Sequence, residues 1–98
     1  MQDAAVLKRL ERWYRSQCDG DWEHSEGVEI TTLDNPGWSI RISLVDTDLQ
    51  SRPFEAIKID RGEDDWLQVW IEDDVWNAAA GPLNLTEALD TFLAWTST

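Results

Sequence analysis

The stretch Trp38-Ser39-Ile40-Arg41-Ile42-Ser43-Leu44-Val45 constrains this chain more than any other. Its even positions are large and apolar and its odd positions mostly polar. That period of two fits a strand with one face on a core and the other turned away. Trp38, Ile40, Ile42 and Leu44 therefore belong to the core. Just upstream lies Asn35-Pro36-Gly37, where proline fixes φ, Asn35 is pushed extended and Gly37 can adopt a positive φ. This predicts a type II turn and a hairpin back to an earlier strand. That strand is Val28 to Leu33, with Val28, Ile30 and Thr32 on one side and Glu29, Thr31 and Leu33 on the other.

Around this hairpin the remaining elements follow from spacing. Val6, Leu7, Leu10, Trp13, Tyr14 and Gln17 recur at helical intervals, with Lys8, Arg12 and Arg15 opposite, so a helix spans roughly residues 3 to 17. Asp3 suits its N-terminus and Arg15 its C-terminus under the macrodipole, and Gly20 is the exit. Asp46 to Arg52 is polar and Pro53 cannot donate to a ladder, which makes a loop. A third strand begins near Phe54, and the change of parity at Ala56 predicts a bulge or a late start. Arg61-Gly62-Glu63-Asp64 turns the chain into a fourth strand, with Leu67, Val69 and Ile71 on one face and Trp66, Gln68, Trp70 and Glu72 on the other.

After Asp73-Asp74, Val75-Trp76 reads as at most a short edge strand, and Ala78-Ala79-Ala80-Gly81-Pro82 as a loop. Asn84 and Glu87 form a capping pair for a second helix over about residues 85 to 95, whose apolar face is Leu85, Ala88, Leu89, Phe92 and Leu93. The expected fold is α+β, in a single domain over residues 1–98. It has a four-stranded antiparallel sheet, five-stranded if Val75-Trp76 pairs, flanked by an N-terminal and a C-terminal helix on one sheet face.

One Cys excludes an internal disulfide, and no apolar run approaches the roughly 18 residues of a membrane span. Met1-Gln2-Asp3 leads into a charged amphipathic segment rather than a secretory core, so the chain reads as cytoplasmic, with no membrane partner. Twenty acidic and eight basic residues give a net charge of −12. Lys8, Arg9, Arg12 and Arg15 against Asp3 and Glu11 make residues 1–17 net +2, which leaves −14 for the rest. A field of that sign repels phosphate backbones and steers basic macromolecules, so nucleic acid is not an expected partner.

The chain concentrates its special residues in Cys18-Asp19-Gly20-Asp21-Trp22-Glu23-His24, which holds the only Cys and the only His. Asp19, Asp21 and Glu23 alternate as calcium-loop ligands do, but the sixth position of such a loop falls on His24 rather than Gly, and the twelfth on Ile30 rather than Glu. Zinc would have one Cys and one His to bind it. A Cys18 nucleophile would face the negative end of the first helix and two aspartates, with no second His to relay protons. Carboxylate pairs among 20 acids are uninformative for glycoside hydrolysis, there is no Gly-rich phosphate loop, and Trp13, Trp38 and Trp95 fit core positions without a ligand. The segment from Cys18 to His24, with Asn35, Pro36, Gly37 and Trp38, is read as structural; no metal, cofactor or catalytic residue is assigned. The alternative is a small enzyme or a ligand- or metal-binding module built around Cys18 to His24.

Trp13-Tyr14-Arg15-Ser16-Gln17-Cys18-Asp19-Gly20-Asp21-Trp22-Glu23-His24, then Thr32-Leu33-Asp34-Asn35-Pro36-Gly37-Trp38, Asp65-Trp66 and Asn84-Leu85 together resemble the immunity protein 53 family of bacterial polymorphic toxin systems. The resemblance covers nearly the whole chain. It implies a cytoplasmic protein that neutralises a cognate protein toxin by binding it, and the acidity suits a basic toxin. Strand alternation supplies the expected contact, because Trp66 and Trp70 turn away from the core about 13 Å apart. Pairing of the strands in order would surround them with Glu29, Arg41, Lys58, Gln68 and Glu72, and Asp64 and Asp65 add charge at the adjoining turn. The competing reading is that Trp66 covers a sheet edge or packs under Val75-Trp76.

Overall fold

The computed structural model describes residues 2–98, with side chains from Ala5 onward, so the dipole role expected of Asp3 lies outside the described side chains. The order is α1 (Gln2–Gln17), α2 (Trp22–Ser25), β1 (Val28–Leu33), β2 (Gly37–Ser43), β3 (Ile57–Gly62), β4 (Asp65–Glu72), β5 (Val75–Ala80) and α3 (Leu85–Thr96). The five strands form one antiparallel sheet in the order β1-β2-β5-β4-β3, an α+β arrangement with a helix at each end of the chain. β3 starts late, at Ile57, and its register shifts between Asp60 and Gly62, where Gly62 takes a φ of 154°.

The fifth strand corrects the reading of Val75 to Pro82. It runs through Ala78, Ala79 and Ala80 and is central, pairing with β2 on one side and β4 on the other. Asp73 and Asp74 form a two-residue loop with φ of 54° and 60°, the positive pair of a type I′ hairpin. The alanines suit the middle of this sheet because Ala78 and Ala80 point under α3, where small side chains let Ala88 and Phe92 approach. Burial in a two-sided ladder outweighs the helix propensity of alanine.

Gly37 corrects the turn. It has no positive φ but lies in β2 opposite Leu33, so Asp34-Asn35-Pro36 is a three-residue loop rather than a type II turn. Its glycine answers to close packing: a Cβ there would run into the Ala80 carbonyl oxygen and lie 3.2 Å from Cζ2 of Trp66.

Both helices cover the same face of the sheet. Val6 and Leu10 of α1 and Ala88, Leu89, Phe92 and Leu93 of α3 close over Ile40, Ile42, Leu67, Val69 and Trp76. Phe92 lies edge-on to Trp13 at 4.9 Å and to Trp76 at 5.1 Å between ring centres, tying α1, α3 and β5 together. Among the described residues the other sheet face carries no helix.

Candidate partner-binding face

Register builds the uncovered face in rows. Trp70 pairs with Asn77, Asn77 with Arg41, and Arg41 with Glu29; the next row runs Lys58, Gln68, Ala79, Ser39, Thr31. Trp70 is 36% exposed on this face, with Gln68 and Glu72 exposed on its own strand and Lys58, Arg41 and Glu29 exposed on other strands of the same face. The strands do not pair in order, which corrects the expected rim. Because β5 lies between β2 and β4, the floor beside Trp70 is Asn77 and Ala79. Glu29 is three strands away, about 14 Å at the usual strand spacing, and contacts Arg41 at 3.9 Å.

The two tryptophans differ. Trp66 is half-buried and its ring lies over Gly37, so it covers the end of the sheet where β2 begins and β5 ends. Trp70 projects. Asp64 is exposed in the β3–β4 turn. The Asp65 carboxylate is engaged within the chain: its Oδ1 accepts from Arg61 Nε at 3.0 Å and from Asn84 Nδ2 at 2.9 Å. The Arg61 guanidinium, then the Asn84 amide, holds that carboxyl below its ordinary range. The same guanidinium reaches Glu87 at 2.6 Å, and both carboxylates raise its own pKa.

This cluster was not legible as a unit. Asn84 occupies the N-cap position of α3, but its side chain makes no cap bond to the helix, against the expected capping pair. Its Oδ1 instead accepts the Trp66 backbone N–H at 3.2 Å, and its Nδ2 also donates to Glu87 at 3.0 Å. The start of α3 is thereby fastened to the start of β4, under Gly81, where a Cβ would lie 2.6 Å from Asn84 Oδ1. Arg61 and Asp65 flanking a turn were the one sequence signal.

The segment from Cys18 to His24 folds on itself around α2. Asp19 Oδ1 accepts the backbone N–H groups of Asp21 and Trp22, both at 2.9 Å, while Glu23 accepts those of Asp19 and Gly20. The Trp22 amide first, and then that of Asp21, lowers the Asp19 pKa; backbone amides, its own first, lower that of Glu23. The Cys18 thiol donates to the Tyr14 carbonyl at 3.3 Å, satisfying an orphan acceptor at the end of α1. Trp22 is 4% exposed, stands edge-on to Trp13 at 6.0 Å and donates through Nε1 to the Val45 carbonyl at 2.9 Å. His24 is exposed. Among the described residues no group of three or more His, Cys, Asp or Glu side chains is placed to hold a metal ion, and no helix is long and apolar enough to cross a membrane.

The α+β fold carries its helices on one sheet face and leaves the Trp70 ring exposed on the other, with Glu72 on the same strand. The family model described as Immunity protein 53 matches residues 7–97 of the 98, and the chain belongs to that family. Its function is accordingly that of an immunity protein. No curated protein and no solved structure matches the chain.

Proposed function

We propose that this chain neutralises one cognate toxin in the cytoplasm by binding it, as a non-enzymatic inhibitor of one domain, through the uncovered face of the sheet. The observation that carries the reading is Trp70: a large ring, 36% exposed, on a flat face with no helix over it and with Asn77, Gln68 and Glu72 beside it. Interfaces draw most of their energy from a few such anchors within a polar rim. Glu72, Glu29 and Asp64 supply rim charge, Asp65 serves mainly the fold beneath it, and Trp66 adds the flank of its ring. A net charge of −12 fits a basic toxin and gives it long-range steering.

The test is Trp70→Ala measured against the toxin encoded beside this chain. Binding should weaken by about 2 kcal/mol with the melting temperature nearly unchanged, because the ring touches the surface and not the core. A folded Trp70→Ala protein that binds normally refutes the anchor.

A further inference from the structure

We propose that the free edge of β1 is a second contact site, where an extended segment of the toxin with alternating apolar and basic side chains adds to the sheet as a sixth strand. This rests on the toxin-binding reading above but concerns a different surface, at the opposite side of the sheet from Trp70.

β1 is an edge strand, and its bonding phase is fixed by the Ser43 N–H donating to the Gly27 carbonyl at 3.0 Å. Bonded pairs alternate along an antiparallel ladder, so the amides and carbonyls of Glu29 and Thr31 point at β2, while those of Val28, Ile30 and Thr32 point away from it. Edge strands are normally blunted by proline, lysine or a bulge. The other edge, β3, has Lys58 and a register shift before Gly62; β1 has none of these.

Beside those free groups lies an apolar groove of about 380 Å³ between α1 and the start of β1, lined by Leu10, Tyr14, Gly27 and Val28 and flanked by Glu11 and Glu26. Leu7 is 53% exposed, Tyr14 38% and Ile30 39%, so among the described residues three of the five exposed large hydrophobic side chains lie on α1 and β1. Arg9 pairs with Asp90 of α3, which turns Leu7, Glu11 and Tyr14 to the flank of α1 away from α3.

Side chains opposite Val28 and Ile30 on an added strand would lie on the helix side, in this groove; those between them would lie beside the exposed Glu29 on the other face. Glu11, beside Lys8 at 3.1 Å, borders the groove and Glu29, beside Arg41 at 3.9 Å, lies on the other face, while Glu26 accepts the Ser43 hydroxyl at 2.6 Å; these carboxylates, in a chain of net charge −12, favour a basic segment. A second copy of this chain is the poorer occupant: each copy carries −12, and antiparallel pairing about Ile30 would bring Glu26 of one against Asp34 of the other. Strand addition draws its affinity from main-chain bonds and its specificity from the pockets for alternate side chains.

The test has two arms. In the complex with the toxin, hydrogen exchange at the amides of Val28, Ile30 and Thr32 should slow about tenfold or more, and Thr32→Pro, which removes only an outward N–H, should weaken binding about tenfold while Thr32→Ala does not. A short peptide alternating valine and lysine should protect the same three amides, and the same peptide N-methylated along its pairing edge should not. A toxin complex that forms with these amides unprotected, or an N-methylated peptide that binds as well as its parent, overturns the proposal. A toxin that does not bind the native chain at all refutes the toxin-binding reading instead, and the peptide arm then decides the edge by itself.

Discussion

Trp22 is the residue whose removal should be felt most for its place in the chain, since it belongs to a one-turn helix in a loop and not to the sheet. A tryptophan buries about 150–250 Å², and at about 25 cal/mol per Å² that is roughly 4–6 kcal/mol. Residual burial in the unfolded chain removes some 10–40% of this. The Nε1 bond to the Val45 carbonyl adds about 1 kcal/mol. Trp22→Ala should therefore lose about 4 kcal/mol, a large part of the roughly 5–15 kcal/mol that holds a domain together. Trp22→Phe, which keeps a ring against Trp13 but drops the hydrogen bond, should lose about 1–2 kcal/mol. Urea unfolding of both variants at constant m measures this. Cys18→Ser is the control from the same segment: serine can also donate to the Tyr14 carbonyl, so stability should move by less than about 0.5 kcal/mol and protection against the toxin should persist. A Trp22→Ala protein losing under about 1 kcal/mol would refute a structural role for this segment.

Gly37→Ala should cost about 1–3 kcal/mol by overpacking, because the added methyl meets the Ala80 carbonyl and the Trp66 ring; calorimetry showing an unchanged melting temperature would refute that account. Asp19, Glu23 and Asp65 have folded pKa values below their ordinary ones, so their stabilisation is complete above the unfolded values near 3.9 and 4.3 and is lost as pH falls through the folded values. Melting temperatures should hold level from about pH 6 to about pH 5 and fall between about pH 5 and about pH 3, and Asp19→Asn should flatten that fall. Association with the toxin should slow strongly between low and physiological salt while dissociation changes less; a salt-independent on-rate in stopped-flow measurements would remove steering.

What the sequence made legible was what depends on local period. Alternation in Ile40 to Leu44 and in Leu67 to Ile71 assigned the buried faces and turned Trp70 outward, whereas Trp38, expected in the core, is half-buried outside it and donates to the Pro82 carbonyl at 3.0 Å. What it hid depends on residues far apart. Ala78 and Ala80 are small because α3 crosses the middle of the sheet, a requirement invisible beside their helix propensity. Gly37 was explained by turn chemistry when its reason is Ala80, a partner 43 positions later. Asn84 matched a cap pattern, yet its bond runs to the Trp66 amide. The floor around Trp70 was misplaced for the same cause: strand order follows from which edge β5 can enter, and the β1–β2 hairpin and the β3–β4 pair each looked complete without it.

The placement of β5 also has a kinetic side. β1–β2 and β3–β4–β5 are each joined by short local loops, and the sheet becomes one object only when Ser43 meets Val75 across residues 44–74. Closing a loop of that length costs roughly 3 kcal/mol of chain entropy, returned only after the seam forms. Until then β2 and β5 both present unpaired amides, and Ile40 and Ile42 have neighbours only on the β1 side, without Ala78 and Trp76. Contacts at the seam should therefore govern the rate of folding and those of the outer strands the rate of unfolding, which stopped-flow refolding and unfolding of variants in the two regions measures. On the proposed function, that closure is also the first moment at which a toxin-binding face exists, since Trp70 and Arg41 come to lie on either side of Asn77 in the same step.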